Sequence, residues 1–400
     1  MKKKHILRKA AALLLAGAIL TGTASAENMS LGVGKDCFED VLSQKNEEAK
    51  MFEAEAYVNK VTTNYIQASN IDVRNGYEIS NLIPIYNFNK GSIIGYNAYL
   101  IVDGQLVGEI DVFYDKDKMF SLFLTDIDAR IINAYYNKTA FCFGGYNDNF
   151  IMCTEAEKLF VLNGDKAENA NFVELEEINF VPGCFSIIAP QTVITAEDVC
   201  NQIQPMSINA QIMNKDISDI HHVKNVYESG YSEGKGICWA ACIAMKVNYY
   251  KGTNCDAKTI YNYLKNNGYP YDGSVSAASL AYGYYNIPMH YSSYRTGNQV
   301  WTQIYNNNPV DLCIRGKIYE PTGIYVENAY HQVLIKGMTV HSDGLTYKID
   351  CPNLGDVSVF VEGSTENLMN RNVDCFEYMD RTTFKNGNYI VYNETYRFYW

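Results

Sequence analysis

The sequence predicts an α+β fold in which helices followed by an antiparallel sheet make the main domain, with a smaller α+β domain ahead of it. Three observations carry this. Residues 82–115 read as strands separated by turn signals, residues 238–305 as a run of helices, and residues 309–400 as strands. Helices and strands that are segregated along the chain belong to the α+β class rather than to alternating α/β architecture.

The elements follow in order. Met1 to Lys9 carry Lys2, Lys3, Lys4, Arg8 and Lys9, then an apolar run from Ala10 to Leu20 and the small residues Thr23-Ala24-Ser25-Ala26. That is the pattern of a secretory signal peptide over 1–26, cut after Ala26, and it predicts a secreted, extracellular chain. The apolar run is far short of the roughly 20 residues a membrane span needs, so no stable membrane insertion is expected.

Residues 27–180 read as the smaller α+β domain. Its start is helical, with good helix formers from Glu47 to Glu55. Next, "NLIPIYNFNKGSIIGYNAYLIVDGQLVGEIDVFYDKDK" gives three antiparallel strands, with Lys90-Gly91 and Asp103-Gly104 as turns. Pro84 makes the first of them an edge strand at best, because proline cannot donate to a ladder. Residues 181–229 are a linker or transition with weak periodicity, ending in the turn-rich tract "YESGYSEGKG".

The main domain covers 230–400. "CWAACIAMKVNYY" (Cys238 to Tyr250) reads as a helix closed by Gly252. Further helices are expected from about Asp256 to Asn266, capped by Asn254 or Asp256, from Ser274 or Ser276 to Tyr284, and from near Asn298 through Trp301 and Ile304. Strands follow at "VDLCIRG", at "HQVLIKGM" starting on His331, at "LTYKID" after the Ser342-Asp343-Gly344 turn, at "SVFVEG" and in the tail.

The formal charge is −12, and losing the five basic leader residues makes it five units more negative. Such a chain is not drawn to nucleic acid or anionic lipid. It has no glycine-rich phosphate loop, basic recognition helix or zinc finger, and nothing in it asks for a cofactor. Cys238 and Cys242 share a helix face, but no neighbouring histidine or Cys-x-x-Cys completes a tetrahedral zinc set. The 11 cysteines leave at least one without a disulfide partner inside a monomer.

Cys238 is the nucleophile candidate. At a helix start, the open backbone N–H groups and the dipole favour a thiolate. The plainer reading is a core or disulfide cysteine. His331 is the base candidate, an imidazole at a strand start that can face a cleft and hold the thiol ionised. His221, His222, His290 and His341 are rivals. A third group should orient the ring. Asp350 stands roughly opposite His331 across a hairpin and is preferred to Asn353 in the loop "CPNLG".

These segments carry a resemblance. "GKGICWAACIAM" resembles the active-site helix start of papain-like cysteine peptidases. "HQVLIKGM" resembles their histidine strand, and "YKIDCPNLG" the Asp-Pro element of the bacterial C39-like branch, with Cys351 inserted between Asp and Pro. "GSVSAASLAYGYYNIP" and "VWTQIYNNNPVDLCIRG" are similar to that branch's intervening segments, so the likeness covers about 230–400. It implies a papain-like catalytic domain with Cys238 as nucleophile, His331 as base and Asp350 as orienter. The implied activity is hydrolysis of peptide or protein substrates through a thioester.

The family's oxyanion-hole glutamine, about six residues before the nucleophile, is replaced here by Ser232, the remaining side-chain candidate. The 27–180 domain is similar to the pro-regions of secreted bacterial enzymes of this kind, which a cleavage removes. Two other functions stay open: acyl transfer to an amine, as in transglutaminase-like proteins, and a non-catalytic binding protein of the same fold.

Overall fold

The computed structural model describes residues 35–400 apart from 88–91, 116–117, 147–148, 154–158, 164–170, 175–184, 204–212, 228–235, 270–272, 320–324, 374–377 and 381–388. The leader over 1–26 and Ser232 lie outside the described residues. The fold is mixed α+β, with helices against a large, mostly antiparallel sheet.

Helix α1 (Lys35–Ser69) repeats apolar residues every three or four positions in its second half. Ala54, Val58, Val61 and Tyr65 are buried on that spacing. They pack on strands β1 (Gly76–Ser80), β3 (Ser92–Val102), β4 (Gln105–Asp115) and β5 (Lys118–Leu124), while β2 (Ile83–Asn87) turns Ile83 and Ile85 into the other core. The β3–β4 turn is Asp103-Gly104, with φ of 49° and 74°. Two positive φ values in a two-residue loop match the right-handed twist of the strands it joins.

Strand β2 corrects an expectation. It is not an edge: it pairs antiparallel with β3 and parallel with β6 (Phe143–Tyr146). The parallel pairing starts at Ile85, one residue past Pro84, so the missing proline N–H is not called for there. Helix α2 (Ala129–Asn137) precedes β6. The ladder then runs through β7 (Asn149–Cys153), β8 (Leu159–Asn163) and β9 (Asn171–Glu174). Strand β10 (Pro190–Thr195) returns to β1 and leads into helix α3 (Ala196–Ile203). Strand β11 (Met213–Asp216) lies in the stretch expected to be a linker.

The helices of the C-terminal half form where expected. They are α4 (Cys238–Lys251), α5 (Ala257–Asn266), α6 (Val275–Tyr284) and α7 (Gly297–Tyr305), with a short α8 (Thr365–Asn370) not foreseen. Asp256 and Ser274 cap α5 and α6 by accepting from Thr259 N and Ala277 N, and Thr296 and Gln299 form a capping box on α7. Gly252 ends α4 at φ 61°.

The strands are β12 (Tyr291–Ser292), β13 (Val310–Tyr319), β14 (Tyr325–Val340), β15 (Gly344–Cys351), β16 (Gly355–Glu362), β17 (Tyr378–Asp380) and β18 (Tyr389–Tyr399). Antiparallel pairing runs β18–β13–β14–β15–β16 and continues through β5 to β4, β3 and β2. Residues 51–400 form one compact unit. The two halves expected from the sequence therefore share one sheet. No helix among the described residues is long and apolar enough to cross a membrane.

Candidate active site

The middle of helix α4 is buried on all sides: every residue from Trp239 to Val247 is in the core. A helix apolar all round has no solvent face and must lie inside. Its first residue, Cys238, is half-buried, and its last turn, from Asn248, returns to the surface. Ile237 is the N-cap and no side chain caps the turn. The intrahelical bonds begin with Ala240 N and Ala241 N, both donating to Ile237 O. The thiol thus stands where a helix dipole is positive.

Two contacts aim the helix. One turn in, Cys242 Sγ donates to Gln332 O at 3.3 Å. Two turns in, Lys246 Nζ meets Asp311 Oδ2 at 3.3 Å, and Tyr282 OH donates to the same oxygen at 2.7 Å. Asp311 stands opposite Leu334 in the β13–β14 register. Helix α4 therefore lies on the face of β14 that presents Gln332 and Leu334, and His331, next in the same regular pairing, projects from the other face. Burial raises the Asp311 carboxyl, and the Lys246 charge opposes that rise. Burial also pushes the Cys242 and Cys313 thiols up. Cys238 lies within electrostatic range of both, and Asp350 within range of Cys242.

The approach to Cys238 is pinned from outside. Asn225 Oδ1 accepts from Ile237 N at 2.8 Å, and Asn225 Nδ2 donates to Asn353 Oδ1 at 2.9 Å. Asn225 N donates to Pro352 O at 2.8 Å. This one side chain ties the segment ahead of the helix to the loop after β15. Gly236 is required here. Its φ is +87°, and a Cβ would come within 2.8 Å of the Tyr227 ring. On the other flank Trp239 lies against Gly273, where a Cβ would approach within 2.7 Å. Sequence reasoning missed Asn225; a buried amide with this role leaves no local pattern.

His331 is buried, at 4% exposure, next to Tyr330 at 57%. It does not begin a strand: β14 starts at Tyr325, and Tyr325 to Tyr330 already pair with β13. Its Nε2 lies 3.4 Å from Cys351 Sγ. The expected contact with Asp350 is not formed. Asp350 Oδ1 lies instead 2.6 Å from His222 Nδ1, and among the described residues its Oδ2 has no hydrogen-bond partner.

The cause is one β-bulge. From the hairpin the register runs regularly from Val340↔Leu345 to Gly337↔Lys348, then resumes at Ile335↔Ile349 and Leu334↔Asp350. Lys336 is the extra residue, and its carbonyl accepts from Ile217 N. Side chains alternate with a period of two, so one extra residue exchanges the faces beyond it. Asp350 thereby joins Leu334 and Gln332, and Cys351 joins His331. Asn353, the other orienting candidate, accepts from Tyr227 OH as well as from Asn225.

His222 is the functional candidate that sequence reasoning left among the rivals. Its side chain is 37% exposed, and Asp350 behind it is 1% exposed. It lines a cavity of about 600 Å³ with His221, Lys224, Asn353 and Asp356. Six cysteines, Cys142, Cys238, Cys242, Cys255, Cys313 and Cys351, are thiols rather than half-cystines. No group of three or more metal-ligating side chains occurs among the described residues. No family model matches the chain, and no curated protein matches it.

Proposed function

We propose that the chain is a cysteine peptidase in which Cys238 is the nucleophile and His331 the base. One observation carries the reading. A partly exposed thiol opens a helix whose next nine residues, Trp239 to Val247, are buried, and Cys242, a turn deeper, holds that helix on the backbone carbonyl of Gln332, next to His331. A thiol that only filled core would not be left at the mouth of such a helix.

The chemistry is amide hydrolysis in two steps. The Cys238 thiol gives its proton to His331, and its sulfur bonds to the peptide carbonyl carbon. The C–N bond breaks and His331 protonates the leaving amine. Water, losing a proton to His331, then cleaves the thioester and frees the acid and the thiol. The Cys238 N–H donates to the oxyanion, and the second donor is proposed to be Ser232. The N-terminal residues act as a pro-region in this reading, one that stays bound after its linker is cut, and the leader directs export.

A second reading is favoured by the 2.6 Å His222–Asp350 contact, which is the imidazole–carboxylate pair of an acid–base dyad. Asn225 ties the same segment to the start of α4. In that reading His222 serves Cys238.

The test uses the full chain. Iodoacetamide should label Cys238 fastest among the thiols, and a quenched-fluorescent peptide library should be cleaved. Cys238→Ser should abolish both. His331→Ala should lower turnover about 10³-fold or more, with His222→Ala near wild type. The reverse ranking selects His222. Product that forms only with an added amine makes the chain an acyl transferase. No selective labelling and no turnover make it a non-catalytic protein.

A further inference from the structure

We propose that Cys351, in place of a carboxylate, is the residue that positions the His331 imidazole. The inference rests on the Cys238–His331 reading and names the partner of its base. Three observations carry it. The His331 Nε2 to Cys351 Sγ distance is 3.4 Å, within range of a hydrogen bond to sulfur. Both side chains are buried, at 4% and 0% exposure, so water does not compete for the contact. The carboxylate next door is committed elsewhere: the bulge at Lys336 turns Asp350 to the other face and onto His222.

The insertion of Cys351 before Pro352 and the extra residue in β14 act together. The extra residue turns position 351 toward the ring, and the inserted cysteine supplies the side chain there. With both, a sulfur occupies the place next to the imidazole.

The chemical consequence is specific. A carboxylate holds an N–H firmly and stabilises the imidazolium. A thiol is a weak donor and a weak acceptor. It fixes the ring's orientation and tautomer, with Nε2–H directed at sulfur, but gives a neutral partner to the charged ring. The His331 imidazolium is therefore less favoured than beside an aspartate. A larger share of the Cys238–His331 pair then rests as neutral thiol and neutral imidazole.

The test compares Cys351→Ala, Cys351→Asp and Asp350→Asn in the full-length protein, with thermal melts to establish folding. The readouts are the pH dependence of Cys238 alkylation and the histidine titrations by NMR. Cys351→Asp should raise the His331 pKa and extend fast alkylation to lower pH. Cys351→Ala should slow alkylation at neutral pH about fivefold. Asp350→Asn should leave the His331 titration in place.

If Asp350→Asn moves His331 and the Cys351 variants do not, the assignment is overturned. An unfolded Cys351→Asp leaves the decision to the alanine variant and to Asp350→Asn. Failure of the underlying reading looks different: Cys238 would then show no selective alkylation in the wild-type chain.

Discussion

Lys246 carries its charge at 2% exposure inside α4, against Asp311 at 0%. Its ammonium also sits 4.9 Å from the Tyr282 ring centroid. Such a pair is neutral to stability while intact and costly when halved. Lys246→Met should therefore destabilise the chain by about 3–5 kcal/mol, because Asp311 keeps its burial and loses its counter-charge. Lys246→Met with Asp311→Leu should recover most of that loss. Denaturant melts of the two variants check this; equal losses would show that packing, not charge, sets the cost. The pair was not legible beforehand. A lysine in "AMKVNYY" has the look of a solvent-facing residue, and only the depth of α4 makes it otherwise. The place of Cys238 at a helix start was legible, since the apolar run that follows it and the glycines around it mark one.

At the level of elements, caps were legible and register was not. Asp256, Ser274 and Gly252 act within three or four residues, so local sequence identifies them. The bulge at Lys336 answers to Ile217, far off in the chain, and it decides which face Asp350 takes. Counting back from the hairpin without it puts Asp350 on the side of His331. The same hairpin holds α1 through His341. Its Nδ1–H donates to Gln67 Oε1 at 3.2 Å, and its Nε2 accepts from Thr346 Oγ1 at 2.8 Å. Phe360 packs edge-on, and Asp343 is the nearby charge. Burial lowers this imidazole from 6.5 to about 4. Between those values the unfolded chain takes up a proton that the folded chain refuses. Stability is thus full above about pH 6.5 and falls as pH drops toward 4, by about 3 kcal/mol from this group. His341→Gln should flatten that slope. Urea melts at pH 4.5 and pH 7 measure it, and an unchanged slope would remove His341 from the acid response.

On the scale of the whole molecule, the N-terminal strands are part of the sheet that carries the site. Strand β5 pairs with β16 through Leu124↔Val357, Phe123↔Ser358 and Leu122↔Val359. Tyr65 OH, bonded to Ser121, accepts from Phe360 N at 3.3 Å, and Phe360 belongs to the same core as α1. The stretch between the halves is also engaged, since β11 pairs with the end of β14. A pro-region that merely plugs a cleft can leave once its linker is cut. Here removal breaks a continuous ladder and uncovers the edge of β16 and the apolar residues beneath α1, which costs far more than a loop contact. A protease site placed within residues 228–235 and cut to completion should therefore give two fragments that co-elute in native gel filtration and separate only in denaturant. If the fragments part without denaturant and the C-terminal one stays folded, the shared sheet is dispensable and a removable pro-region is restored.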